Sequence, residues 1–222
     1  MLYLIGLGLD SKDISLNALE AIKKCKKVYL ESYTSFGFTV KEIEKIIKRK
    51  IIVAERELIE NNSDNILKEA KKQDIGILVY GDPLFATTHI NYLIDAKKDN
   101  IKFKIIHSSS ILNAIAETGL SLYNFGKTTS IPFNNESIIT PVNVIKDNLK
   151  LGLHTLILLD LEPENNKFLT SARRVSSIYS LPLHLLTETR AQINGAAVHN
   201  QSHHQKNNPR RRGIHMKLGL RE

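Results

Sequence analysis

The chain has 222 residues, of which 42% are hydrophobic and 24% are charged, as is ordinary for a globular protein with a substantial core. It contains no apolar run long enough to span a membrane, and its apolar first residues lack the basic start of a signal peptide. The single cysteine, Cys25, excludes an intrachain disulfide, so the sequence predicts a cytoplasmic protein in which Cys25 packs in a core.

The net charge of +8 is concentrated near one end of the chain. Residues 1–170 carry 22 Lys and Arg against 21 Asp and Glu, whereas residues 171–222 carry 9 against 2. The charge balance of the body therefore gives no support to a nucleic-acid-binding surface there.

Apolar runs alternate with segments of helical spacing along the first 110 residues. Strands are predicted at residues 2–9, 28–30, 51–53, 75–80 and 103–107, and helices lie between them. Strands joined by helices form a parallel sheet with right-handed crossovers. The sequence therefore predicts an N-terminal α/β domain over residues 1–110.

The stretch IGILVYGDPLFATTH, residues 75–89, is the centre of this domain. Its apolar start predicts a strand buried on both faces, and the sequence Gly81-Asp82-Pro83 ends that strand. Asp82 is then a carboxylate at the carboxyl end of a central strand, which is where open α/β sheets bind ligands. We expect Thr87 and Thr88 to cap the helix that follows.

Polar and small residues follow other strands of the predicted sheet as well. The first strand ends in Gly6-Leu7-Gly8, and residues 31–35 form a hydroxyl-rich loop at the same edge. Residues 108–110 are three serines at the start of a helix, where they supply capping oxygens or contacts to a carboxylate or to adenosine hydroxyls. The spacing alone leaves both interpretations of the serines open.

A second α/β unit is predicted after about residue 120. Residues 128–133 alternate like a strand, Thr140-Pro141 indicates the N-cap and first turn of a helix, and residues 152–161 form a buried strand. Asp160 ends that strand as Asp82 ends the central strand of the first sheet. Two sheets that meet at a cleft predict a cofactor site between them.

The composition changes after residue 170. Lys outnumbers Arg by 20 to 2 before this point, whereas Arg outnumbers Lys by 7 to 2 after it. We hypothesise that residues from about 173 onward are a frameshift product, which reading the other frames of the nucleotide sequence would test. The tail lacks a core-forming pattern, so disorder, a basic arm for nucleic acid and a His-rich metal-binding tract are alternative interpretations.

Seven segments in chain order resemble the diphthine synthases, which are diphthamide-pathway methyltransferases of the tetrapyrrole (precorrin) methylase superfamily. These segments are MLYLIGLGLD, DIS with LEAIKKC, VYLESYTS, GDPLFATTH, IHSSSILNA, GLSLYNFGKTTSIPF and GLHTLILLDLEPE. The resemblance runs over residues 1 to about 172. It implies two α/β domains, over residues 1–110 and 111–172, with a cofactor cleft between them, followed by a non-matching basic tail over residues 173–222.

The resemblance also implies a function. The cofactor would be S-adenosylmethionine, and its contacts would fall on Leu9, Asp82, Phe85, Ser110, Ile111 and Leu161. The substrate would be translation elongation factor 2, methylated on the amino group of the 3-amino-3-carboxypropyl chain carried by one histidine. The enzyme would be a homodimer, it would need no metal, and no catalytic base can be assigned. For His89 and His107 we expect structural roles.

The chain departs from the family after residue 172, where an ARAGS-like segment and a HILIVPG-like strand are absent. We expect the C-terminal domain to be incomplete, with an exposed sheet edge, and S-adenosylmethionine to bind weakly. The alternatives are a precorrin or uroporphyrinogen methylase and a non-enzymatic RNA-binding protein that uses the Arg- and His-rich tail. A dinucleotide oxidoreductase is disfavoured, because Gly6-Leu7-Gly8 lacks the third glycine of that fingerprint and does not open a helix.

Overall fold

The computed structural model of the chain describes residues 1–35, 37–61, 63–133, 138–162, 167–168 and 196–199. Within these ranges, five parallel strands form the first sheet, in the order β3-β2-β4-β1-β5. Its strands are β1 (Leu2–Gly6), β2 (Lys27–Glu31), β3 (Ile52–Ala54), β4 (Ile75–Val79) and β5 (Phe103–Ile106). This arrangement confirms the predicted α/β class.

Helices cover both faces of the first sheet. They are α1 (Leu16–Lys24), α2 (Val40–Ile47), α3 (Ser63–Lys72) and α4 (Ile90–Lys98). Alternate side chains of β1 and β4 point into two separate cores, since successive strand residues face opposite ways. Ile77 packs in the core that includes residues of α3 and α4, whereas Leu78 packs in the core that includes residues of α1 and α2. All five residues of β4 are buried, as predicted for a strand that is covered on both faces.

The second sheet is smaller. Within the described ranges it consists of β6 (Thr129–Ile131) and β7 (Thr155–Leu159), which are parallel, and a further strand on the other side of β7. Helix α6 (Thr140–Lys150) packs against β6 and β7 through Ile145, which is fully buried. A short helix, α5 (Ile111–Ala114), leads from the first sheet towards this one and continues as a 3-10 turn over Ile115–Thr118. Strands β8 (Leu161–Glu162) and β9 (Lys167–Phe168) form an antiparallel pair after β7.

The further strand, β10 (Ala196–His199), corrects one expectation about the tail. It pairs antiparallel with β7, and Ala197 lies opposite Ile157 in the register. The second sheet was expected to have an exposed edge, but β10 pairs with the N–H and C=O groups along one side of β7. The sequence suggested disorder for residues 199–205 and 207–212; of these, His199 lies in β10, and the others lie outside the described residues, as does the rest of 173–222.

Several predicted boundaries shift by a few residues. Strand β1 ends at Gly6 rather than Leu9, and α1 begins at Leu16, with the Ser15 side chain accepting a hydrogen bond from the Ala18 amide. Helix α6 begins at Thr140 itself, so Thr140 is not its N-cap, although Pro141 lies in the first turn as predicted. The α1 boundary agrees with the argument against a dinucleotide fold, because the Gly6–Gly8 segment does not open that helix.

The capping role predicted for Thr87 and Thr88 is wrong. The residue before α4 is His89, and no side chain caps the helix there. The Thr87 hydroxyl instead donates to the Pro83 carbonyl (3.0 Å) and accepts from the His89 amide (3.4 Å). Thr87 therefore stabilises the turn after β4 rather than the helix after the turn.

The packing role predicted for Cys25 is confirmed. Its side chain is 3% exposed, and its thiol donates to the Ala21 carbonyl (3.2 Å). Burial raises the pKa of the Cys25 thiol to about 12, so the reactive thiolate is disfavoured. Among the described helices, none has the length and apolar character that crossing a bilayer requires.

Candidate active site between the two sheets

Two glycine-containing turns make close contact beside the candidate site, and Gly81 of one of them lines it. The amides of Gly8 and Gly81 each donate to the carbonyl of the other, at 3.2 and 2.9 Å. Both glycines have positive φ, +82° and +72°, a conformation that other residues adopt only with strain. A Cβ atom at Gly6 would lie 2.7 Å from the Gly81 carbonyl oxygen. The ends of β1 and β4 can therefore approach this closely because both carry glycine.

Asp82 stabilises the edge of the sheet by bonding in two directions. One carboxylate oxygen accepts from the Leu84 amide (3.0 Å), which closes the Gly81-Asp82-Pro83 turn. The other lies 2.8 Å from Nδ1 of His107 and accepts from the Ser108 amide (3.3 Å). Because a carboxylate only accepts, Nδ1 of His107 carries the proton in this contact. Asp82 thus links the end of β4 to the end of β5 through His107 and Ser108, and the structural role expected for His107 stays a prediction.

Ser109 and Ser110, two of the three serines after β5, have different roles. Ser110 caps α5, since its side chain accepts from the Leu112 amide (3.3 Å) while Asn113 accepts from the Ser110 amide (2.6 Å). Ser109 donates to a carboxylate oxygen of Asp13 (2.6 Å). Ser110 Oγ therefore caps α5, which leaves a cofactor contact of Ser110 a prediction, whereas Ser109 connects the end of β5 to the loop after β1.

A cavity of about 320 Å³ lies between the two sheets, as the sequence predicted for the cofactor cleft. One wall comes from segments that follow strands of the first sheet, and the other comes from the ends of β6 and β7. The volume is within the range of small-molecule sites. The lining residues are Tyr33, Thr34, Ser35, Arg56, Tyr80, Gly81, Asp82, Phe85, Ala86, Thr87, Ser110, Ile111, Ser130, Ile131, Pro132, Leu158, Leu159 and Asp160.

Most of the predicted site residues meet at this cavity. Asp82, Phe85, Ser110 and Ile111 line it, so the structure brings together contacts that lie up to 29 positions apart in the chain. Leu9 does not line it: this residue is 7% exposed, and its amide bonds the side chains of Asp13 (3.1 Å) and Ser109 (3.2 Å).

Leu161, the remaining predicted contact, is the first residue of β8, and its side chain lies outside the described part of the chain. The residue before it, Asp160, lines the cavity.

Sequence reasoning placed residues 31–35, which follow β2, at this edge of the sheet, but it missed the part of the wall that follows β3. Arg56 was not singled out, although it follows β3 by two residues, and Tyr80 was counted only as the end of a strand. The available signal was positional, since a polar residue directly after each parallel strand lies at the same edge of the sheet. The Tyr80 hydroxyl donates to the Phe38 carbonyl (2.7 Å), and burial raises the pKa of Tyr80 to about 12.

The mixture of side chains fits a nucleotide with a positively charged centre. Phe85, Ile111 and Leu158 give apolar surface for a planar base, and the carboxylates of Asp82 and Asp160 give negative charge on two sides. Among the described residues, no cluster of His, Cys, Asp and Glu is arranged to hold a metal ion.

The family model for Tetrapyrrole (Corrin/Porphyrin) Methylases matches residues 1–178. The chain belongs to the tetrapyrrole methylase family. The match ends close to residue 172, where the sequence predicted that the family resemblance stops, and the family consists of methyltransferases.

Two relatives of this methylase are named for diphthine synthesis. It is 44% identical over 196 residues to diphthine methyl ester synthase of Schizosaccharomyces pombe, over 86% of this chain and 69% of that protein. It is 43% identical over 186 residues to diphthine synthase of Methanococcus maripaludis, over 82% of this chain and 73% of that protein. These similarities confirm the resemblance identified from the seven segments.

A solved structure has the same fold. A crystal structure of diphthine synthase matches with a TM-score of 0.70 and 41% identity, over 73% of this chain and 65% of that one. The methylase thus spans roughly two thirds of the length of the relatives that it matches.

Proposed function

We propose that this chain is an S-adenosylmethionine-dependent methyltransferase of the diphthine synthase type. Its substrate would be translation elongation factor 2, methylated on the amino group of a 3-amino-3-carboxypropyl side chain built on one histidine. The observation that carries the proposal is the cavity between the sheets, where Asp82, Phe85, Ser110 and Ile111 form part of one wall. The names of the relatives support the same assignment.

S-adenosylmethionine, when bound, would supply an electrophilic methyl group on a sulfonium. We propose that four residues hold it: Asp82, Phe85, Ser110 and Ile111. Leu9 would contribute indirectly, because its amide donates to the Ser109 hydroxyl. Leu161 stays in the proposal as a contact from the second sheet. Asp82 is preorganised for this role, because its bonds to the Leu84 amide and to His107 fix the carboxylate before any ligand enters.

The protein contributes mainly position and the exclusion of water. Transfer of a methyl group to an amine needs a straight approach of the amine, and holding the two reactants in place supplies a large part of the rate acceleration. The apolar side chains of Ile131 and Leu158 shield the cavity from the second sheet. Tyr80 is a poor candidate for a base, since its hydroxyl already donates to Phe38 and its pKa is raised to about 12.

The test is a methyl-transfer assay. Elongation factor 2 that carries the aminocarboxypropyl histidine is incubated with the protein and isotopically labelled S-adenosylmethionine, and its mass is measured. We expect a mass increase in multiples of one methyl group. Elongation factor 2 with an unmodified histidine is the control, and a mass increase there as well, or no increase in either sample, would contradict the proposal.

Further parts of the proposal concern affinity, assembly and location. We propose a cytoplasmic homodimer, for which sedimentation would give a mass of about twice the 25.1 kDa of one chain.

Because the expected ARAGS-like and HILIVPG-like segments are absent from the sequence, we propose weak binding of S-adenosylmethionine. A low-micromolar dissociation constant from calorimetry would overturn the weak-binding prediction.

The basic tail supports a second candidate function. Residues 171–222 carry 9 Lys and Arg against 2 Asp and Glu, which favours an RNA-binding arm. Deleting residues 173–222 and measuring RNA retention discriminates the RNA-binding function from the methyltransferase function, because an RNA-binding arm predicts loss of retention.

A precorrin or uroporphyrinogen methylase is the other alternative. Methyl transfer to uroporphyrinogen or a precorrin in the same labelling assay would favour it.

A further inference from the structure

One part of the cavity wall carries positive charge. Arg56 lies two residues after β3, and the carbon at the centre of its guanidinium is 5.1 Å from the centre of the Tyr33 ring. Both residues line the cavity. A guanidinium over an aromatic face is held by cation–π attraction, and its N–H groups form a fork that matches the two oxygens of a carboxylate.

The position of Arg56 in the sheet separates it from the proposed cofactor contacts. Among the described residues that line the cavity, Arg56 is the one Lys or Arg. It follows β3, at the edge of the sheet, whereas Asp82 follows β4, two strands away, and Ser110 follows β5 at the opposite edge. Two strand spacings are about 10 Å. The cavity thus has an Asp82 half and an Arg56 half.

The loop beneath Arg56 is fixed in place by a buried carboxylate. Glu31 is fully buried at the end of β2, and one of its oxygens accepts from the amides of Tyr33 (2.7 Å) and Thr34 (2.6 Å). Its other oxygen accepts from the Thr34 hydroxyl (2.5 Å). The Tyr33 ring is therefore held on an ordered turn, and the guanidinium that packs on it is preorganised for a ligand.

We infer that Arg56 binds the carboxylate of the methyl-accepting side chain. This inference rests on the proposed function, in which the acceptor carries an amine and a carboxylate on the same short chain. With the carboxylate on Arg56, the amine points towards the Asp82 half, where the methyl donor is proposed to lie. Arg56 then sets both the affinity for the acceptor and the direction of its amine.

The experiment compares Arg56→Gln and Arg56→Lys with the wild type. Steady-state methyl transfer to modified elongation factor 2 gives kcat and KM, and calorimetry with S-adenosylhomocysteine gives the cofactor-site Kd. In Arg56→Gln we expect KM to rise by about tenfold or more, since a hydrogen-bonded charge pair is lost, while the Kd changes by less than about twofold. Arg56→Lys keeps the charge but loses the fork, so its KM should be intermediate.

The matched control is Lys50→Gln, which removes the same charge at a side chain that is 93% exposed and paired with Glu44. Its KM should equal that of the wild type, and thermal unfolding of each variant verifies that it is folded. Weaker binding of S-adenosylhomocysteine with an unchanged KM for the acceptor would assign Arg56 to the cofactor instead. If neither the Kd nor the KM changes, Arg56 has only a packing role on Tyr33. Both outcomes overturn the inference alone, whereas a wild type that transfers no methyl group overturns the proposed function together with it.

Discussion

The two sheets each end a buried strand in a carboxylate, but they hold that carboxylate differently. Asp82 follows β4, its side chain is 14% exposed, and it is bonded to Leu84, His107 and Ser108. Asp160 follows β7, is exposed, and accepts from the Phe133 amide at 3.2 Å.

The core of the first sheet is also larger than the core of the second sheet among the described residues. The first sheet has packed helices on both faces, whereas the core cluster around Ile157 is formed by a few residues of β6, β7 and α6. From this comparison we infer that, among the described residues, the first sheet is the more rigid wall of the cavity.

The largest expected effect is on the core of the first sheet. Ile77→Ala should lower the free energy of unfolding by about 4 kcal/mol, because the hole left in a strand with neighbours on all sides cannot collapse. Ile157→Ala should cost about 2 kcal/mol, since the smaller core can relax around it. Urea denaturation followed by circular dichroism measures both values. Equal costs, or a larger cost at Ile157, would refute the view that the first sheet is the more rigid unit.

The next effect concerns the two carboxylates themselves. In Asp82→Asn the new NH2 group faces one of the N–H groups that the carboxylate accepts from in the wild type, so that hydrogen bond is lost. We expect the affinity for S-adenosylmethionine to fall by about tenfold or more, equivalent to about 1.5–3 kcal/mol. Asp160→Asn should change the affinity by about threefold or less, because solvent screens the charge of an exposed carboxylate more than that of a nearly buried one. Calorimetric titration of the two variants side by side tests the difference. A greater loss for Asp160→Asn would place the stronger anionic contact on the second sheet.

The smallest effect is a pH dependence that belongs to the second sheet. Burial lowers the pKa of His154, whose ring packs on Phe125 with centroids 5.4 Å apart. The neutral form is then favoured in the folded chain, so its contribution to stability is fully present above the unfolded pKa and is lost as the pH falls from that value through the lower folded pKa. The His154→Phe variant should show a shallower loss of melting temperature than the wild type between pH 7.5 and 5.5. Parallel curves for the two proteins would show that other groups cause the loss.

The sequence was most informative where one local pattern determines the structure. The all-apolar run of β4 specifies burial on both faces, and Gly81-Asp82-Pro83 specifies the turn that ends it, so the place of Asp82 could be predicted. The class of fold followed from the alternation of strands and helices. Phe85 and Ile111 were located by resemblance, and the cavity confirms only that they lie on a common wall.

What could not be predicted depends on contacts between distant segments. The pairing of Ser109 with Asp13 spans 96 positions, and Arg56 reaches the cavity because β3 is the edge strand next to β2. Strand order is not encoded in any local pattern. Strand β10 was missed for a related reason, since four residues of ordinary composition become a strand when the edge of β7 is available to them.

The strand order of the first sheet also constrains how the chain can fold during its synthesis. Strand β1 is made first, yet its neighbours are β4 and β5, which begin at Ile75 and Phe103. The apolar segment LYLIG is therefore synthesised before either partner, and both partners exist only after about a hundred further residues. In a series of stalled nascent chains, resistance to protease should appear only in the members in which Ile106 has emerged from the ribosome.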